Sequence, residues 1–263
     1  MNDAHPAVTW LGHASVLLEL GGVRVLTDPV LSARVGPLVR IAPPIRPGLA
    51  DGVDAILLSH LHADHADLRS LRRVGARSPV FAPRGAGRWL TARGLRTVHE
   101  MSPGEATSVG GVRVTATPAR HDGRRRPLGG PEAAPIGFLV QAECSIYFAG
   151  DTDLYPGMSE LAGSLDLALL PVSGWGPTLG PGHLDPERAA KATAILAPRV
   201  AVPIHWGTFA LSRPLPRSDD PERPAREFAA LAARWAPTVE VRILPPGGRI
   251  ELPSVKPDRK HPH

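Results

Sequence analysis

Ser59-His60-Leu61-His62-Ala63-Asp64-His65 follows directly on the apolar run 53–58. A short apolar run of that kind, bounded by turn residues, reads as a buried strand. In the extended segment leaving it, His60 and His62 project from one face, so both imidazoles can reach a single metal ion. Asp64 and His65 fall where the chain turns toward a helix, because Leu68, Leu71 and Val74 recur at helical spacing. Their side chains can therefore diverge from the first pair toward a second ion. Four potential ligands within six residues at a strand end fit a polar loop with incidental histidines poorly.

Upstream of this stretch, 8–10, 15–20 and 23–26 read as strands, with Gly21-Gly22 a hairpin turn between the last two. Downstream come a strand at 79–82, a helix over 84–93 and a strand at 112–117. The second half echoes the first. Strands 138–140 and 145–149 form a hairpin leading to Asp151, as the earlier one leads to Asp28, and 165–171 parallels 53–58. Asp185 as N-cap with Pro186 behind it starts a helix that leads to a strand at 200–203. A helix beyond Arg226 and a strand at 239–244 follow, so the order is mixed α and β, and the echo predicts two similar halves packed together. Segments 29–51, 121–135 and 173–182 are rich in Gly and Pro and read as surface loops. The first carries Val30, Leu31, Val35, Leu38, Val39 and Ile41, which makes it either a substrate-facing wall or lid, or a loop packed on its own core.

The 263 residues, 43% of them hydrophobic, suffice for one large domain, expected over 1–252 with a disordered tail at 253–263. The start of the chain has no basic stretch leading into a long apolar run, and no run is long enough to cross a bilayer, so a soluble cytoplasmic protein is expected. Cys144 is the only cysteine, in a strand-like run, and reads as a core thiol. The net charge of +5 comes almost wholly from arginine, Lys191, Lys256 and Lys260 being the only lysines. The arginines are scattered without interleaved aromatics, which argues against a nucleic-acid platform, and a basic balance helps attract anionic substrates.

The hallmark H-x-H-x-D-H is matched at every position by 60–65, and His121, Asp151 in Phe148-Ala149-Gly150-Asp151-Thr152, and His205 in Pro203-Ile204-His205-Trp206-Gly207 follow in order. On these residues the chain resembles the metallo-β-lactamase superfamily over residues 8–250. The resemblance implies an α/β (α+β) fold, an αββα sandwich of two mixed β-sheets flanked by helices, with its site at the strand-end edge. It also implies two divalent metal ions, the first held by His60, His62 and His121, the second by Asp64, His65 and His205, with Asp151 bridging. Zinc suits nitrogen and oxygen ligands, with manganese or iron open. Within the superfamily, Trp10-Leu11-Gly12-His13-Ala14-Ser15, Thr27-Asp28-Pro29 and Gly182-His183-Leu184-Asp185-Pro186-Glu187 are similar to the branch containing the N-acyl-phosphatidylethanolamine-hydrolysing phospholipase D enzymes and the ascorbate-phosphate lactonase.

The branch resemblance implies hydrolysis of an ester bond, a phosphodiester or lactone, in a small-molecule or lipid-like anionic ester substrate, by a metal-bridged hydroxide that the Asp64 and Asp151 carboxylates align. His183 is a catalytic candidate beside the leaving group; a helix-entry histidine with a structural role is the competing reading. His13 and Asp28 are expected to orient ligands rather than bind metal. Arg120, Arg124, Arg125 and Arg126 flank His121 and either grip a phosphate or form a solvated basic loop. Alternatives from other classes are an RNA or DNA nuclease and a non-hydrolytic metal-binding regulatory protein. The sequence is equally compatible with a homo-oligomer.

Overall fold

The computed structural model of the protein describes residues 5–125, 131–174, 179–212 and 220–253. The first half of the chain runs through β1 (Ala7–Gly12), β2 (Ser15–Leu20), β3 (Val23–Thr27), β4 (Arg34–Val35), β5 (Leu38–Arg40), β6 (Ala55–Leu57), α1 (Leu68–Val74), β7 (Val80–Pro83), α2 (Gly87–Thr91) and β8 (Val98–Met101). The second continues with β9 (Ala106–Val109), β10 (Val112–Pro118), β11 (Ile136–Gln141), β12 (Ser145–Phe148), β13 (Leu167–Pro171), α3 (Pro186–Leu196), β14 (Val200–Ile204), β15 (Phe209–Leu211), α4 (Arg223–Trp235), β16 (Glu240–Val241) and β17 (Arg249–Glu251).

Two large mixed sheets face each other. One has the order β17-β1-β2-β3-β6-β7-β8 and the other β16-β14-β13-β12-β11-β10-β9. In the first, pairing is antiparallel as far as β3 and parallel from β3 to β8. The second repeats the scheme, antiparallel from β9 to β12 and parallel from β12 to β16. Strands β10-β11-β12-β13-β14 thus retrace β1-β2-β3-β6-β7, which is the internal echo read from the sequence.

Alternation of side chains across a strand explains how the layers cohere. On β1 to β3 and β6, Val8, Trp10, Val16, Leu18, Val25 and Leu57 pack into the cluster between the sheets. Their neighbours Leu11, Leu17, Leu26, Ile56 and Leu58 face outward and are covered by Leu71 and Val74 of α1 and Leu90 of α2. With both faces buried these strands read as continuous apolar runs. Helices α3 and α4 pack on each other and against β13, β14 and β16, completing helix, sheet, sheet and helix layers. The hairpin between β2 and β3 turns on Gly21 (φ 57°) and Gly22 (φ 73°), the double left-handed geometry of a tight hairpin. Helix α3 starts as expected, Asp185 accepting from the Arg188 N–H with Pro186 in the first turn.

Several local readings change. Segment 29–51 is not a plain loop: β4 and β5 pair within it, and β5 pairs with β15 in a separate three-stranded sheet. Strands β8 and β9 have no counterpart among the expected elements, α2 is much shorter than 84–93, and the strand expected over 239–244 contracts to β16. Arg126, residues 175–178 of the third loop and the tail from 254 lie outside the described residues.

Candidate metal centre and active site

The loops that leave the strands at one edge of both sheets converge on a single cluster. His60, His62, Asp64 and His65 arrive after β6, His121 after β10, Asp151 after β12, His183 ahead of α3 and His205 at the end of β14. Close approach of the two sheets is built into the backbone. Gly150, immediately before Asp151, has φ 60°, and a Cβ there would lie 2.6 Å from the Ser59 Cβ, so no larger residue fits against the first ligand loop.

Potential donor atoms gather in overlapping groups, each within 4.8 Å: His60, His62 and His121; His13, Asp64, His65 and His205; Asp28, His60 and His65; and His121, Asp151 and His183. His62 Nδ1 lies 3.1 Å from His121 Nε2, and His65 Nε2 lies 3.0 Å from His205 Nε2. Asp151 sits between, its Oδ2 3.2 Å from His65 Nε2 and its Oδ1 3.4 Å from His205 Nε2.

Outward-facing nitrogens are fixed by the protein, which leaves the inward ones as lone-pair donors. His121 Nδ1–H donates to the Gly182 carbonyl at 2.9 Å, and His205 Nδ1–H to that of Ser173 at 2.7 Å. His65 Nδ1–H donates to Asp28 Oδ2 at 2.7 Å. Asp28 Oδ2 also accepts from Ser59 Oγ, which in turn accepts from His60 Nδ1–H at 2.9 Å. The result is that His60 Nε2 points into the cluster, buried and without a hydrogen-bond partner, as is Asp151 Oδ1. Orphaned buried polar atoms of this kind are rare. An imidazole nitrogen and a carboxylate oxygen aimed at one space are what a bound divalent ion would satisfy, so the residues fit a metal centre.

Electrostatics agree with that chemistry. Burial, followed by the neighbouring imidazoles, holds His60 well below its ordinary range. Burial and His121 lower His62 to about 4, and burial lowers His205 to about 3. These rings are neutral near pH 7 and their lone pairs are available. Burial opposes ionisation of Asp64 and Asp151, but the surrounding histidines, His13 first for Asp64 and His205 first for Asp151, hold both well below the usual carboxylate range. His65 alone is driven strongly upward, burial opposing and Asp151 and Asp28 prevailing. The two carboxylates that raise His65 favour any cation placed beside them, a bound metal ion included.

His13 and Asp28 fall within these donor groups and contact the other members. His13 Nε2 lies 3.1 Å from Asp64 Oδ2, and its ring sits 3.8 Å from that of His205. The His13 carbonyl accepts the His205 N–H, and the His13 N–H donates to Thr208 Oγ1, tying the turn after β1 to the end of β14. His183 is half-buried with Nδ1–H on the Gly180 carbonyl and Nε2 3.5 Å from Asp151 Oδ2. Ser59, to which the sequence pattern assigns no role, links Asp28 to His60; its adjacency to the histidines is the one signal that points to it.

The arginines near His121 take other partners. Arg125 donates from Nη1 to the carbonyls of Leu61, at 2.7 Å, and Ala66, at 3.2 Å, with its guanidinium 4.6 Å above the Trp89 ring. Arg124 pairs with Asp122, and Arg120 donates to the Leu154 carbonyl. In front of the cluster opens a trough of about 560 Å³, walled by Val35, Pro37, Leu38, Leu179 and Pro181.

Known proteins place the whole in context. The profile of the Beta-lactamase superfamily domain matches residues 23–206, well over half of the chain. A UPF0173 metal-dependent hydrolase of Methanopyrus kandleri is 36% identical, over 93% of this chain and 99% of that protein. N-acyl-phosphatidylethanolamine-hydrolyzing phospholipase D 1 of Caenorhabditis elegans is 31% identical, over 76% of this chain and 64% of its own length. The solved structure of Igni18, a metallo hydrolase from Ignicoccus hospitalis, superposes with a TM-score of 0.69 at 25% identity, covering 94% of this chain and 98% of that one. The chain belongs to the beta-lactamase superfamily and has its metallo-hydrolase fold.

Proposed function

We propose that the protein is a binuclear metal-dependent hydrolase of ester bonds, acting on a phosphodiester or a lactone. The observation that carries this reading is the convergence of seven donors, with the outward nitrogens of His60, His65, His121 and His205 hydrogen-bonded and two inward atoms left orphaned. His60, His62 and His121 would hold one ion and Asp64, His65 and His205 the other, with Asp151 between them. Zinc is the preferred metal for this ligand set, manganese and iron being alternatives. Bound divalent ions would supply Lewis acidity and a nucleophilic water at neutral pH.

The chain's own groups do the rest. Asp64 and Asp151, held ionised, accept hydrogen bonds from the attacking water and aim it. The His183 ring is raised from its ordinary value, burial opposing and Asp151 and the Gly180 carbonyl prevailing, so Nε2 can carry a proton toward the trough. As the water oxygen bonds to the carbonyl carbon or phosphorus, the bond to the leaving oxygen breaks. That oxygen takes the proton from His183 Nε2, and the proton released by the water restores it.

The test is metal content measured beside a hydrolysis screen of phosphodiesters, lactones and thioesters. Two equivalents of metal and turnover are expected for the wild type, and His62→Ala with Asp151→Ala should lose both together. Turnover surviving in that double variant, or cleavage of structured RNA with no small ester touched, would overturn the reading.

A further inference from the structure

We infer that the trough is built for an uncharged ester or lactone bearing an apolar arm, and that it selects against an anionic phosphodiester. This narrows the hydrolase reading above and rests on it.

The arm's position is set by the small sheet of β4, β5 and β15. Val35 and Leu38 line the trough from one side, Leu179 and Pro181 from the other, and Ala63 lies at its base beside the donors. Behind this wall Val30, Val35, Leu38 and Phe209 form their own apolar cluster, distinct from the two larger ones. The wall is tied down at several points. Arg40 Nη2 donates to the Leu11 carbonyl at 2.6 Å, the Val30 N–H to Ser15 Oγ at 2.8 Å, and Ser32 Oγ to Asp67 at 2.6 Å. Strand β15 joins it directly to the segment after His205. A fixed apolar wall next to a reacting centre gains by covering methylenes of a ligand, at about fourfold in affinity for each one fully buried.

Charge points the same way. Among the described residues no lysine or arginine lines the trough. The nearby arginines serve the protein itself: Arg40 the Leu11 carbonyl, Arg120 that of Leu154, Arg124 the Asp122 carboxylate, and Arg125 the carbonyls of Leu61 and Ala66. A guanidinium or ammonium on the wall would give a phosphodiester's free oxygens a contact beyond what metal ions supply. Among the described residues the walls add no such contact, and positive charge at the floor would come from bound ions. A neutral carbonyl ester needs no such contact, having no charge for the walls to compensate.

The experiment has a catalytic and a binding arm on metal-loaded protein. Turnover of p-nitrophenyl esters from acetate to octanoate is followed beside bis(4-nitrophenyl) phosphate, and binding of alkyl hydroxamates of the same lengths by calorimetry. Both ladders should climb by roughly two- to fourfold per methylene over the first several carbons. Leu38→Lys should raise kcat/KM for the phosphodiester and lower it for the hexanoate ester, changing their ratio by about tenfold or more; Leu179→Lys, at a half-exposed position, serves if the first variant does not fold. Flat ladders in both arms, or an unchanged ratio in a folded variant, would overturn the inference. If hydroxamate binding climbs while no ester is cleaved, the trough stands and the hydrolase reading fails. Turnover with flat ladders does the reverse, keeping the hydrolase and removing the apolar arm.

Discussion

His13, Asp28 and His205 adopt φ values of 54°, 32° and 65°, a region that residues with a Cβ enter at a cost. All three belong to the donor cluster or touch it, and each is held by hydrogen bonds on both sides. Strain is thus concentrated where side chains must be aimed. Arg125 performs a related task from outside, joining the carbonyls of Leu61 and Ala66 at the two ends of the ligand loop to the loop that presents His121. Replacement by methionine should weaken metal binding by about 10- to 100-fold, read by competition with a chromophoric chelator, while Arg125→Lys restores part of it. Unchanged affinity in the methionine variant would remove this role. The histidines and aspartates were legible in the sequence because their types and order are themselves the signal. Arg125 was not: what a long flexible cation bonds to depends on which loops the fold brings within its reach.

Elements followed the same division. Strands buried on both faces, such as β2 and β13, announced themselves as apolar runs, and α3 by its cap. Strands β8 and β9 lie at sheet edges with His99, Glu100, Ala106 and Ser108 exposed, so neither carries a hydrophobic pattern to read. Strands β4 and β5 are too short for their period to register, and their pairing with each other and of β5 with β15, far away in sequence, defines them. Helix α3 ends on Ala197 in the left-handed conformation, φ 44° and ψ 51°, where glycine is the usual residue. Ala197→Gly should therefore stabilise the protein by about 0.5–1 kcal/mol in denaturant unfolding. A loss of stability would show that the Ala197 methyl contributes packing that outweighs the backbone strain.

At the scale of the molecule, the proposed ligands come from both sheets: His60, His62, Asp64 and His65 from the half containing β6, His121, Asp151 and His205 from the half containing β10, β12 and β14. An ion bound among them joins the halves, so metal affinity becomes folding stability. Chelation of the purified protein should lower Tm by about 5–10 °C, the drop expected for free metal at about 100 times its Kd, and readdition should restore it. An unchanged Tm on complete metal removal would contradict the ligand assignment. No helix among the described residues is long and apolar enough to cross a membrane, so nothing in them anchors either half to a bilayer as a helical span.

The split of donors between Gly150 and its neighbours on one side and the Ser59 loop on the other also sets a schedule. On the ribosome the first four proposed ligands emerge well before the partners that would enclose them, and the pocket assigned to Asp64, His65 and His205 stays open until His205 has left the tunnel. Loading of that second ion would accordingly come late in biogenesis, and fragments truncated ahead of that histidine should not hold it tightly.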